Sequence, residues 1–451
     1  MAFHPIDRDT DYLLPPSVQE WLPESHLARY VVDVVEGLDL SELERAYSGR
    51  GSDAYHPATL LSLLIFGYAT GTFSSRKIER ATYDSLAFRY IACNRHPDHD
   101  TLASFRKRFG KEVGDAFVQV LQVALENRLS KFGTVSLDGS KIHANASRHS
   151  ALSHGHIEKI ETLLENEVQE MLALAEEADQ SSLPDGMNLP DEIKRREDRL
   201  AAIAQAKATI EVRAKERFER EAAEYDAKMA ARVAKQAESG KKPRGREPKA
   251  PDPAPRAEDQ VNLTDEESRI MKVAGGGFEQ CYNAQAMVDT ESMLVMVPHV
   301  TNAANDKEQV APMVEKAQAL PEGLNQLETV LIDSGYYSEK NVMTCTEAGI
   351  TPLIAVGREE HHPAWRDRFA EPPPLGDDAT PVERMKHTLK TKAGRATYAL
   401  RKQTVEPVFG IIKSVMGFRQ FLLRGLENVQ TEWTLVCLAW NLKRMAVLRP
   451  Q

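Results

Sequence analysis

TVSLDGSKIHANAS, residues 134–147, is the stretch whose reading decides the fold. Thr134, Val135, Ser136 and Leu137 suit a short buried strand, and Asp138 with Gly139 behind it reads as a sharp exit from the sheet. Far downstream the same grammar returns in TVLIDSGYYSEKN, residues 329–341, where Asp333 follows Thr329, Val330, Leu331 and Ile332. Taken singly, an acid after a strand is a turn residue. Two strands of like character, each delivering a carboxylate, predict one sheet whose strand ends carry chemistry.

A third acid stands in RKQTVEPVFGIIK, residues 401–413. Residues 384–424 hold ten Lys and Arg against the single acid Glu406, a local charge of +9 in a chain whose net charge is −10. A face of that kind attracts polyanions; its plainer alternative is a solvated basic helix. On a helix, Lys413 falls about 20° from Glu406 and Lys402 roughly 40°, whereas Arg401 falls roughly 140° away. Pro407 leaves two readings open: a kink, or a first turn capped by Thr404. Lys413 is read either as a phosphate-holding cation or as a solvent-facing lysine.

The length of 451 residues allows two or three domains. With no apolar run of 18 residues, no transmembrane helix is expected, and the first residues lack the basic and apolar regions of a secretory leader. Cys93, Cys281, Cys345 and Cys437 show no CxxC spacing, which speaks against a zinc site and against a disulfide framework. A cytoplasmic location is expected.

Residues 1–130 read as helical. Helices are expected after His56-Pro57, from Ser74 as a cap, and after Asp100 as a cap; the last carries Arg106, Lys107 and Arg108. Such an order suits a helix-turn-helix-like DNA-binding region or a plain helical bundle. Residues 156–260 change composition to Glu, Lys, Ala and Arg and read as a long helical hairpin, turning near residues 183–186, followed by a Pro- and Lys-rich linker. Residues 285–289 and 294–297 read as a hairpin, 305–319 as a helix, 329–333 as a strand, 338–348 as a helix and 350–356 as a strand. A Pro-rich loop spans 358–380, and helices run from 381 to 445. With 156–260 set aside as an insertion, the order of elements in 131–155 and 261–445 matches a ribonuclease H-like mixed α/β sheet, with a helical domain before it.

Three such acids suit two Mg²⁺ ions, for which Mn²⁺ substitutes, with Asp138 bridging, Asp333 on one ion and Glu406 on the other. The blocks LDGSKIHANAS, IDSGYYS and VEPVFGIIK followed by GFRQFLLRG resemble those of DDE transposases of bacterial insertion sequences. The resembled group has a Tyr-Arg-Glu-Lys signature, here Tyr398, Arg401, Glu406 and Lys413. The gap from Arg401 to Glu406 is one residue longer than the pattern, so Lys402 is the alternative basic residue. The resemblance spans nearly the whole chain, including PDHDTLASFRKRF. It implies Asp138, Asp333 and Glu406 as catalytic metal ligands. It also implies double-stranded DNA as partner, at terminal inverted repeats and target sites, and a homo-oligomeric synaptic assembly in the nucleoid. Asn283, Gln285, Asn302 and Asp306 are read as supporting the site or as capping strands and a helix.

Two other functions share these acids: a ribonuclease H-like nuclease without strand transfer, and an inactive DNA-binding regulator.

Overall fold

The computed structural model describes residues 18–20, 22–47, 54–177, 189–239, 247–357, 370–376 and 378–449. The turn expected at 183–186, the first part of the linker and most of the loop from 358 lie outside them. The chain divides into two compact units, Met1–Ala144 with Cys281–Gln451, and Asn145–Gln280.

The first unit opens with helices α1 (Leu27–Glu36), α2 (Ser41–Arg45), α3 (Pro57–Ala69), α4 (Ser75–Asp84), α5 (Leu86–Ile91), α6 (His99–Arg108) and α7 (Gly110–Glu126). α3 starts on Pro57, and the His56 ring accepts the Ala58 N–H. α3 is buried almost throughout, as its unbroken apolar run requires. Ser74 precedes α4 without a side-chain cap bond. α6 is capped by Asp98, which accepts from the Thr101 N–H at 2.8 Å; Asp100, expected as the cap, lies inside the first turn. Asp98 has the extended backbone that a cap needs, and this places the boundary two residues earlier.

Five strands of a six-stranded sheet, β1 (Thr134–His143), β5 (Phe278–Asp289), β6 (Val295–Thr301), β7 (Thr329–Ile332) and β8 (Thr351–Ile354), run in the order β6-β5-β1-β7-β8. β1 is antiparallel to β5 and parallel to β7; β7 is parallel to β8, and β5 is antiparallel to β6. Three expected strands are therefore present, and the hairpin is longer than read, with β5 beginning at Phe278. The helix expected over 305–319 is confined to α10 (Val310–Gln318), and α11 (Glu339–Glu347) starts after the Ser338 cap. Val135, Leu137, Met287, Val288, Val330, Leu331, Ile332 and Ile354 are fully buried, which makes the middle of the sheet the core.

One expectation about β1 fails. Asp138-Gly139 does not end the strand; pairing with β5 runs on to His143 opposite Cys281. What stops at this level is the other neighbour: β7 pairs with β1 only as far as Leu137 opposite Ile332. Asp138 thus stands where the sheet loses its parallel strand, beside the residue at which β7 ends.

Helices α12 (Pro381–Lys390), α13 (Lys392–Ser414) and α14 (Leu426–Leu448) follow. α13 packs on β1 and β7, and α14 packs on β6, α3 and α7, so the N-terminal helices share a core with the last helix. α13 is capped by Thr391 and runs through Pro407. Thr404 is no cap; its hydroxyl donates to the Leu400 carbonyl one turn back, inside the helix. No helix among the described residues is long and apolar enough to cross a membrane.

The second unit holds β2 (Ala151–Ser153), α8 (His154–Glu177), α9 (Leu189–Ser239), β3 (Gln260–Asn262) and β4 (Arg269–Lys272). α8 and α9 pack through Ile157, Leu164, Ile203, Ala206 and Ile210, with Leu152 and Val261 of the antiparallel β2–β3 pair in the same cluster. The charge pattern resolves into cross-helix pairs, Arg196 with Glu167 at 2.7 Å and Lys207 with Glu161 at 2.9 Å. β4 turns through Gly275 and Gly276, both at positive φ, into β5.

Candidate active site

Asp138, Asp333 and Glu406 meet at one side chain. The Arg401 guanidinium lies 3.4 Å from Asp138 through Nη1, and its Nη2 lies 3.6 Å from Asp333 and 2.9 Å from Glu406. β1 delivers the first acid and the end of β7 the second, and α13 lays the third across them. Arg401 and Glu406 are five positions apart and start on different sides of the helix. The guanidinium arm is long enough to cross that angle.

The environments differ. Arg401 is 9% exposed and Asp138 25%, whereas Asp333 and Glu406 are near half-exposed at 46% and 49%. Burial pushes the Asp138 carboxyl up to about 6; the Gly139 N–H and Arg401 oppose this, and Asp333 and Asp306 add to it. Arg401 Nε is buried without a partner.

Two residues of the signature bond across to the sheet. Tyr398 donates to the Ile332 carbonyl at 3.1 Å. Lys413 donates to Ser140 Oγ and, at 2.9 Å, to the Lys141 carbonyl on β1. Burial lowers the Lys413 ammonium pKa. Tyr398 thus ties α13 to the strand just before Asp333, and Lys413 ties it to the strand just past Asp138. Lys402 is exposed on the same helix.

A polar network surrounds Asp306. Its Oδ1 accepts from Asn283 at 2.7 Å, Gln285 at 2.9 Å and Lys141 at 3.3 Å, and Tyr336 donates to Gln285 Oε1 at 2.6 Å. Asp306 therefore caps nothing through its carboxylate; it draws in the amides of β5. Asn283 and Gln285 alternate on one face of a strand and are fully buried. That period of two was legible in CYNAQAMVD, but the partner that it serves was not.

Arg106 corrects the N-terminal expectation. It is buried, its Nη1 donating to the Tyr68 hydroxyl at 2.6 Å and lying 3.8 Å from Glu432, so it is closed to DNA. The Phe105 and Leu102 face of α6 turns inward and takes Arg106 with it. Lys107 and Arg108 are exposed, the latter bonded to the Ala46 carbonyl at 3.2 Å.

The donor chemistry suits a divalent cation of the magnesium type: three carboxylates converge on a single positive group, and hard carboxylate oxygens are what such an ion takes. As they stand around Arg401, these acids do not form a set of three His, Cys, Asp or Glu side chains able to hold one, and no other described residues do.

No curated protein and no solved structure matches the chain. Two family models do. Residues 16–108 match the Transposase domain (DUF772), and residues 249–442 match the Transposase DDE domain, a span that includes Asp333 and Glu406 but not Asp138. Carrying both of these transposase domains, the chain is supported as a DDE transposase of mobile DNA.

Proposed function

We propose that this chain is the transposase of a bacterial insertion sequence, of the group with the Tyr-Arg-Glu-Lys signature, and that it cleaves DNA strands at its element's ends and joins them to a target. The observation that carries this reading is the meeting of Asp138, Asp333 and Glu406 at Arg401. The strand order β6-β5-β1-β7-β8, with β6, β5 and β1 successively antiparallel and β7 and β8 parallel to β1, supports a ribonuclease H-like catalytic domain.

Asp138, Asp333 and Glu406 are the residues that would hold Mg²⁺, or Mn²⁺ in its place. Bound there, the metal supplies activation of a water or 3′-hydroxyl and stabilisation of the leaving oxygen. Asp138 must be ionised to serve, which burial opposes and a bound cation would favour. Tyr398 and Lys413 keep α13 in register with β7 and β1, so Glu406 stays opposite the two aspartates. Exposed Lys402, with Lys107 and Arg108 on α6, would meet the phosphate backbone of double-stranded DNA at terminal inverted repeats. The assembly is a homo-oligomer in the nucleoid, with residues 1–130 on the DNA and 156–260 as an accessory arm.

The test is the full chain with Mg²⁺ and a duplex bearing the element's ends. Asp138→Ala, Asp333→Ala and Glu406→Ala should each lower cleavage by about 10³-fold or more. Unchanged cleavage in any of them removes that residue from the site. Cleavage without joined products makes the protein a nuclease, and binding without cleavage a regulator.

A further inference from the structure

One cation stands among three acids and offsets only part of their charge. Three carboxylates of like charge are gathered at one point, and the positive charge among them is Arg401, 9% exposed, with Asp138 on one terminal nitrogen and Asp333 and Glu406 on the other. A divalent ion of this class takes oxygens at about 2.0–2.6 Å and draws its carboxylates around one centre. Here Asp138 lies on one guanidinium nitrogen and Asp333 and Glu406 share the other, and the described residues include no group of three His, Cys, Asp or Glu set to hold an ion. The place between Asp138 and the other two acids holds either a guanidinium or an ion, since both need the same oxygens and repel each other. Nε, buried without a partner, adds no bond that would fix the head there once the carboxylates turn away.

We propose that Arg401 is the resident counter-cation of the metal-free site and competes with the divalent ions, so that its head must leave the carboxylates as the metal enters. The inference rests on the metal-holding role given above to the three acids. Arg401 acts here as a positioning residue: it keeps the acids gathered and offsets part of their charge until the metal replaces it. Metal affinity and arginine occupancy are then opposed, and the coupling is reciprocal.

The experiment is calorimetric titration of the full chain with Mn²⁺ alone, without DNA, in wild type, Arg401→Gln, Arg401→Lys and Asp138→Asn. Arg401→Gln should bind Mn²⁺ tighter by about tenfold, within the roughly 5–150-fold range of such couplings. Arg401→Lys, keeping the charge, should stay near wild type, and Asp138→Asn should lose the site. If Arg401→Gln binds equally or more weakly while Asp138→Asn still abolishes binding, the metal reading stands and the competition is overturned. If no variant binds Mn²⁺ at a site that depends on Asp138, the metal reading fails and takes the inference with it. Should Arg401→Gln not fold, the wild type decides: the Arg401 Nε–Hε resonance must shift as Mg²⁺ saturates the protein, and an unmoved signal overturns the proposal.

Discussion

Tyr398 donates its hydroxyl hydrogen to the Ile332 carbonyl at 3.1 Å, which ties the helix carrying Glu406 to the strand residue immediately before Asp333. Tyr398→Phe keeps the ring and removes the tie. The expected cost is about 1 kcal/mol of stability, read by urea unfolding. Cleavage should fall further than that, by roughly 10²-fold, because a small displacement of Glu406 misplaces the reacting atoms. Equal cleavage in both proteins would show the tie to be idle.

The Asp138 carboxyl sits at about 6, above its ordinary 3.8, chiefly because it is buried. A folded-state pKa raised above the unfolded one gives stability that is present at acid pH and lost as pH rises through the folded value. In the metal-free protein, Asp138→Asn should therefore raise stability above pH 6 by on the order of 1–2 kcal/mol, with the gain vanishing below about pH 4. Denaturant unfolding in chelator at pH 4 and 7.5 checks the sign.

Arg106, Tyr68 and Glu432 form a buried polar cluster between α3, α6 and α14, and Glu432 also accepts the Leu422 and Leu423 N–H groups at 2.9 and 3.0 Å. Removing one charge strands the other. Arg106→Ala should cost about 3–5 kcal/mol, against at most about 0.5 kcal/mol for exposed Lys107→Ala. Thermal melts of the two variants separate a core role from a DNA-contacting one.

Gly139 allows the Gln285 side chain to cross β1. A Cβ there would lie 2.1 Å from Gln285 Nε2 and 2.8 Å from its Cδ. Gly139→Ala should therefore displace Gln285 from Asp306 and Tyr336 and cost about 1–3 kcal/mol. Gly139→Ala combined with Gln285→Ala should recover part of that loss, as a double-mutant cycle in unfolding free energy would register.

Local sequence carried the element types well where one signal dominated. Thr329–Ile332 is a short apolar run and is a strand, Ser338 caps a helix, and the Glu- and Lys-rich stretch is a pair of long helices. Boundaries went wrong where two local signals competed. Asp-Gly argued for a turn at residue 138, but cross-strand pairing with β5 holds the backbone extended for five residues more. Pro407 left a kink or a helix start open; the start is excluded, because Pro407 rides inside α13, whose first turn Thr391 caps.

What the sequence determined by itself was the set of acids, the two strands that present the aspartates and the helix that bears the third, because strand propensity, capping and periodicity act over a few residues. What only the tertiary structure decided was which partners those side chains take. Arg106 went to the core, Tyr398 and Lys413 to backbone carbonyls, Asp306 to the amides of β5, and Arg401 to all three acids. A cation reads the same along a chain whether it meets solvent, DNA or a buried carboxylate. Burial and the charges that folding brings beside it choose among them.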